Sequence, residues 1–296
     1  HSIVGDIMGA AIAAPGFTIV SCSTMGKIAA SWIISPVLGG VIAAIFLYAI
    51  KKTIIFQNDK VAAARKWVPI FVAIMSWAFV TYLTLKGLKK IWPSIVDVLV
   101  FLPDENEPSF LIAAAFGLIV AGAVYMILKK TVANRATNLH NTRDSINLLF
   151  TVPLIFAAAL LSFAHGANDV ANAIGPLAAI NDAVITGGIS AKAGIPLWVM
   201  AVGALGIALG LALYGPKLIR TVGSEITELD QMRAFSVAIA AAITVIIASQ
   251  LGLPVSSTHI ALGGIFGVGF LREYLATTGQ EDILEKQQNN IEDEKK

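Results

Sequence analysis

Phe110 to Leu128 runs without a single charged residue. That is close to the roughly 20 apolar residues a helix needs to cross a 30 Å hydrocarbon core. The same pattern recurs at Ser31–Ile50, Trp67–Leu85 and Leu197–Tyr214, and in shorter form at Ala234–Ser249. Lipid offers no partners to backbone N–H and C=O groups, so repeated runs of this kind fold as helices, which satisfy those groups internally. Charged residues make up 14% of the chain, against about a quarter in a soluble domain. The expected fold class is therefore an all-α polytopic membrane protein. The net charge of +2 is too small, and its basic residues too scattered in loops, for a nucleic-acid partner. Cys22 is the only cysteine, which excludes an intrachain disulfide and a cysteine metal site.

Charge between the runs sets the topology. Lys51, Lys52, Lys60, Arg65 and Lys66 crowd the 51–66 connection, and Lys129, Lys130, Arg135 and Arg143 crowd 129–147. Two spans separate these connections, so they share a side, which the positive-inside rule makes cytoplasmic. The 86–109 connection, with Asp97, Asp104, Glu105 and Glu107, is then an external loop. Residues 1–14 are apolar but short for a span, and 181–195, which contains Gly187, Gly188 and Gly194, reads as a further external loop. Residues 272–296 read as a polar tail. The expected organisation is one transmembrane domain over 1–271: a remnant of a first repeat at 1–50, central spans and basic loops at 51–147, and a second repeat at 148–271.

Leu148 to Leu161 carries no charge, and then His165, Asn168, Asp169 and Asn172 follow within one stretch, Ser162–Pro176. On a helix His165, Asp169 and Asn172 fall at i, i+4 and i+7 and share a face. A carboxylate inside an apolar run is costly unless a charged or polar group meets it there. Pro176 is expected to break this helix. The amides of Asn168 and Asn172 and the carboxylate of Asp169 are hard oxygen ligands suited to sodium. Each also has a plainer reading: Asp169 as a carboxylate pairing with His165, and the asparagines as interhelical hydrogen-bonding residues.

Gly252 and Pro254 interrupt the last apolar region just before Ser256-Ser257-Thr258-His259. A break in mid-membrane leaves backbone groups in need of partners. Three hydroxyls where a new helix starts form an anion-binding mouth, or else serve only to satisfy the broken backbone. No Lys or Arg lies within these apolar segments, so a bound anion would depend on helix dipoles, hydroxyls and co-bound cations. Cation and anion would then favour each other's binding, which is the basis of symport. Gln250 is a further polar residue in an apolar run and a candidate ion ligand. His1–Gly9 matches His259–Gly267 at an offset of 258 (259 minus 1), with Gly5 and Gly9 corresponding to Gly263 and Gly267. Both pairs have the GxxxG spacing that lets helices approach closely. By the topology above the copies would be inverted, as is common in secondary transporters with discontinuous helices or re-entrant hairpins.

His-Gly-Ala-Asn-Asp-Val-Ala-Asn-Ala-Ile-Gly-Pro at 165–176 and Pro-Val-Ser-Ser-Thr-His at 254–259 resemble the two signatures of the inorganic phosphate transporter (PiT) family. His1–Gly5 and Ser31–Pro36 resemble the matching pieces of that family's first repeat, and the similarity extends to about residue 271. The resemblance implies secondary active symport of inorganic phosphate with sodium, or with protons; with neither a long inserted soluble domain nor a eukaryotic targeting signal in this sequence, a prokaryotic inner membrane is the expected location. It implies that Asn168 and Asp169 serve both cation and phosphate and that Ser256, Ser257 and Thr258 hold the phosphate; side-chain chemistry and position add Asn172 and Gln250 to Asn168 and Asp169 as candidate ion ligands, with Asp169 as the sodium ligand. Sodium is then a coupling ion and not a cofactor; the lipid bilayer is the surrounding partner, and a homodimer is compatible with this class. The first Gly-Ala-Asn-Asp copy and the Ser-Thr before His1 are missing relative to the family pattern, and the further spans that follow the second motif in the family are replaced here by the polar tail, so the chain is expected to be cropped at both ends. Sulfate on the same scaffold is the nearest rival. An intramembrane hydrolase with His165 as base and Asp169 as orienter is the rival from another class, and neither a G-x-S-x-G nor an H-E-x-x-H pattern supports it.

Overall fold

The computed structural model describes residues 1–13, 16–88, 92–98, 108–137, 139–187, 194–221 and 229–279. In chain order its helices are α1 (Ser2–Ala13), α2 (Cys22–Ile50), α3 (Lys60–Tyr82), α4 (Trp92–Val98), α5 (Phe110–Ala136), α6 (Arg143–Leu149), α7 (Thr151–Thr186), α8 (Leu197–Arg220), α9 (Gln231–Gln250) and α10 (Ser257–Thr277). Among the described residues 7 helices are long and apolar enough to cross a membrane, while α1 falls short. The chain is an all-α, multi-pass membrane protein. Large apolar side chains such as Leu111, Ile119 and Leu213 are well exposed, as lipid-facing residues are.

Several helices run further than the apolar runs suggest. α2 starts at Cys22 and encloses Pro36, and α3 takes in Lys60, Arg65 and Lys66 from the expected basic loop. The Asp59 carboxylate caps α3 by accepting the Ala62 N–H at 2.8 Å, which lets the helix start among charged residues. The 86–109 connection is not wholly loop: a π-helical turn covers Leu83–Gly87, and α4 follows. Asp104, Glu105 and Glu107 of that connection lie outside the described residues.

Pro176 does not break its helix. α7 continues through it to Thr186, because a proline removes one N–H from the ladder but its fixed φ is compatible with the helix around it. Residues 181–186, expected in an external loop, are thus helical. The stop comes at Gly187, whose φ of +68° and N–H bond to the Ala183 carbonyl at 3.0 Å form a left-handed C-terminal cap. The expected polar tail is likewise helical as far as Thr277; residues 280–296 lie outside the description.

Packing groups the chain into two compact units: His1–Ala43 with Leu161–Leu229 and Ala240–Val268, and Ala44–Leu160 with Asp230–Ile239 and Gly269–Lys296. In the second unit α3 lies on α5. The Trp77 indole N–H donates to the Ala114 carbonyl at 3.1 Å, and a methyl at Gly117 would meet the Trp77 carbonyl at 2.8 Å. Phe150 and Phe235 meet edge to face at 5.6 Å, and Asn147 Oδ1 accepts the Met232 N–H at 3.1 Å.

The first unit holds both sequence motifs. Ala164 of α7, Ala241, Val245 and Ala248 of α9, and Val255 and Ile260 around the start of α10 form one buried cluster. Ile174, Ala178 and Val199 join α7 to α8 in another. α2 and α10 approach backbone to backbone: a methyl on Gly40 would meet the Gly263 carbonyl at 2.8 Å, and one on Gly263 would overlap the Pro36 carbonyl. The Gly263/Gly267 pair is therefore used for close packing as expected. Gly5 and Gly9 have open space around them.

Candidate functional site

The site begins with the helical spacing on α7. His165, Asn168, Asp169 and Asn172 lie within two turns, and Asn168 is buried while the other three are half-buried. Opposite them the chain leaves α9 at Gln250, turns at Gly252 with φ of +66°, and re-enters a helix at Ser257. Glycine is required in that left-handed conformation, and Pro254 prevents the helix from simply continuing. The break brings the Ser256–Ser257 pair to the depth of Asp169.

The hydrogen bonds join these pieces. Ser257 Oγ donates to Asp169 Oδ2 at 3.1 Å. His165 Nδ1 is 2.5 Å from Ser257 Oγ and 3.1 Å from Asp169 Oδ2. With the serine proton given to the carboxylate, the consistent tautomer has Nδ1–H donating to the serine oxygen. A second chain runs from Asn172 Nδ2 to Asn168 Oδ1 at 2.9 Å and from Asn168 Nδ2 to Ser249 Oγ at 3.2 Å. Each donated proton orients the next amide, which among the described residues leaves Asn172 Oδ1 and the second Asp169 oxygen as the uncommitted acceptors of the cluster.

At the start of α10, Ser256 Oγ accepts the His259 N–H at 3.3 Å and the Ser256 carbonyl accepts the Ile260 N–H. This is an N-cap. It leaves the amides of Ser257 and Thr258 in the first turn without an intrahelical acceptor. Positive helix-end donors thus sit beside a negative acceptor, so an anion and a hard cation can be held side by side. Asn172 and Ser256 also line a cavity of about 480 Å³ with His1, Val4 and Trp32. His1 stacks near both Trp32, at 4.0 Å, and His259, at 4.9 Å.

Not every expected residue arrives at this place. Thr258 is exposed, and so is Gln250 at the end of α9. Ser249, its neighbour, makes the bond to Asn168 instead, although no motif in the sequence marks it. Its signal lies in the helical register: Ala241, Val245 and Ala248 are buried on α9, and position 249 lies four residues beyond Val245 on that face, whereas 250 follows the exposed Ile247.

The geometry also argues against a hydrolase. In a Ser-His-acid triad the imidazole meets the nucleophile through one nitrogen and the acid through the other. Here Ser257 and Asp169 crowd the same Nδ1, and the serine proton is committed to the carboxylate.

The model of the phosphate transporter family matches residues 1–291. The chain belongs to the phosphate transporter family. This family is one of transporters and not of enzymes. A protein of Helicobacter pylori strain J99, named "Putative phosphate permease", is 55% identical over 279 residues, covering 93% of this chain and 50% of its own. A protein of the same description from Pyrococcus furiosus is 37% identical over 272 residues, covering 92% of this chain and 62% of its own. Among solved structures, one titled "The sodium-dependent phosphate transporter" matches with a TM-score of 0.80 at 31% identity, covering 92% of this chain and 64% of that one. The chain thus spans about half to two thirds of the length of these phosphate transporter family relatives.

Proposed function

We propose that this protein carries inorganic phosphate across the membrane in symport with sodium. The observation that supports this most is the meeting of the α7 carboxylate Asp169 with the α10 N-terminus through Ser257. Asp169, Asn168 and Asn172 offer the oxygen ligands that sodium prefers, and the Ser257 and Thr258 amides with the Ser256 hydroxyl offer donors to phosphate oxygens. Sodium at Asp169 offsets the repulsion between that carboxylate and the incoming anion, so each ligand raises the affinity for the other. Phosphate that keeps a proton at neutral pH can also donate to the free Asp169 oxygen; sulfate cannot. The solved transporter named for sodium dependence supports the choice of ion. The facing of His1 and His259, which occupy matching positions in the sequence repeat, supports an inverted-repeat arrangement around one site.

The test is uptake of radiolabelled phosphate into proteoliposomes with and without an inward sodium gradient, with excess sulfate as competitor. Sodium-stimulated uptake that sulfate leaves unchanged is expected. Uptake driven only by a pH gradient would replace sodium by protons, and block by sulfate would replace the substrate.

A further inference from the structure

In the second unit the connection between α2 and α3 is wound, not loose. Lys51–Ile55 form a π-helical turn closed by the Phe56 N–H on the Lys51 carbonyl at 2.8 Å. Asn141 then clamps the turn from outside: its Nδ2 donates to the Asn58 carbonyl at 2.7 Å and its Oδ1 accepts the Lys60 N–H at 2.8 Å. The result is a preformed cleft of about 760 Å³ lined by Lys52, Phe56, Asn58, Asp59, Lys66 and Trp67, among others.

Two ammonium groups belong to this cleft. Lys52 Nζ sits 5.8 Å from the Tyr48 ring and Lys66 Nζ 5.7 Å from the Trp67 ring. Both side chains are exposed, and neither forms a salt bridge with a carboxylate among the described residues. Asp59 is the one acid in the lining, and its Oδ1 is engaged by the Ala62 N–H at the start of α3, where the helix dipole offsets its charge. The cleft therefore has an excess of positive charge held in place by aromatic rings.

Its position selects the ligand. The cleft lies between the ends of two candidate spans, Cys22–Ile55 and Lys60–Leu85, on the side that the basic connections mark as cytoplasmic. Apolar surface leads away from each lysine along its own helix. Tyr48 and Ile45 are exposed at i−4 and i−7 from Lys52, and Ile74 is exposed eight residues after Lys66. Trp and Tyr at such a level mark the headgroup region. A soluble anion would use the ammonium groups alone, whereas an amphiphile uses both the charge and the apolar tracks.

We propose that this cleft binds the headgroup of an anionic phospholipid of the cytoplasmic leaflet, with its acyl chains lying along α2 and α3. Lys52 and Lys66 hold the phosphodiester, Asn58 stands at the solvent side, and Tyr48 and Trp67 fix the depth.

The experiment is native mass spectrometry of the detergent-solubilised protein titrated with phosphatidylglycerol, phosphatidylcholine or glycerol 3-phosphate. Lys52→Gln/Lys66→Gln is compared with Lys129→Gln/Lys130→Gln, which removes the same charge from exposed positions elsewhere on the basic side. The cleft variant should bind phosphatidylglycerol roughly 30-fold more weakly, from about 1 kcal/mol per lysine near an anionic surface, with phosphatidylcholine unaffected. The control pair should lose little. Asn58→Glu, at an exposed position that brings a like charge to the headgroup, should weaken phosphatidylglycerol binding and leave the melting temperature near that of the parent. Equal losses in the two lysine pairs would overturn the proposal in favour of general surface attraction. Glycerol 3-phosphate competing fully with the lipid would overturn it in favour of a soluble anion site.

Discussion

Ser257 Oγ bonds to Asp169 Oδ2 at 3.1 Å across 88 positions of sequence, joining the start of α10 to the middle of α7. The contact holds a donor-rich helix end against a carboxylate on the polar face of α7. Without a bound cation the carboxylate depends on this hydroxyl and on the His165 ring for polar partners. Cation binding at the free oxygen would be added to a carboxylate already held in orientation.

Replacing that charge is the sharpest test of the site. Asp169→Asn keeps the shape and one acceptor oxygen but removes the negative charge that a cation needs. Ion-stimulated phosphate uptake in proteoliposomes should fall at least about tenfold, since each 1.4 kcal/mol of lost binding is a factor of ten. The helical circular-dichroism spectrum should remain. Uptake that keeps its full response to the ion gradient would remove Asp169 from the coupling mechanism.

Ser249 and Gln250 stand next to each other, and the structure assigns them different weights. Ser249→Ala removes the acceptor that orients the Asn168 amide, at a cost of about 1 kcal/mol for a single hydrogen bond. The ion concentration for half-maximal uptake should rise about fivefold, with the maximal rate changed far less, and Ser249→Thr should restore it. Gln250→Ala, at an exposed position, should leave both quantities near the parent values. The reverse ranking would mean that the ion meets the end of α9 rather than its buried face.

This contrast shows how far the sequence was legible. The uncharged runs revealed helices and their approximate places, because a bilayer admits little else. The His165–Asn172 spacing revealed a polar face, because helical geometry alone brings i, i+4 and i+7 together. What local pattern could not show was the end of each helix: Pro176 reads as a break yet lies inside α7, and Gly187 supplies the actual stop through its positive φ. Nor could it separate Ser249 from Gln250 or Ser257 from Thr258, since the rotation of α9 and α10 against α7 is set by packing at Ala248, Val255 and Ile260.

The two hydroxyls of the second motif should separate in the same way. Ser257 is buried and bonded to both His165 and Asp169, whereas the Thr258 side chain is exposed. Ser257→Ala should weaken apparent phosphate affinity by about fivefold to thirtyfold, the range for one or two lost hydrogen bonds at about 1 kcal/mol each. Thr258→Val keeps the backbone amide that the anion would use and should cost less than about threefold. Phosphate concentration dependence of uptake at saturating sodium measures both, and a larger loss at Thr258 would contradict the arrangement of this helix end.

The last relationship concerns the scaffold beneath the site. Gly263 and Gly267 press α10 onto Pro36 and Gly40 of α2, and a methyl at either glycine would overlap backbone that has no side-chain freedom to yield. Gly263→Ala must therefore push the helices apart, at about 1–3 kcal/mol for an overpacked contact. Gly5→Ala in the matching position of the repeat meets nothing within 4 Å, and alanine is the better helix former by about 1 kcal/mol. Thermal unfolding in detergent should show a lowered midpoint for Gly263→Ala and an unchanged or raised one for Gly5→Ala. Because Ser257 opens the same helix, Gly263→Ala should also reduce phosphate affinity, while equal behaviour of the two variants would show that the α2–α10 contact does not position the site.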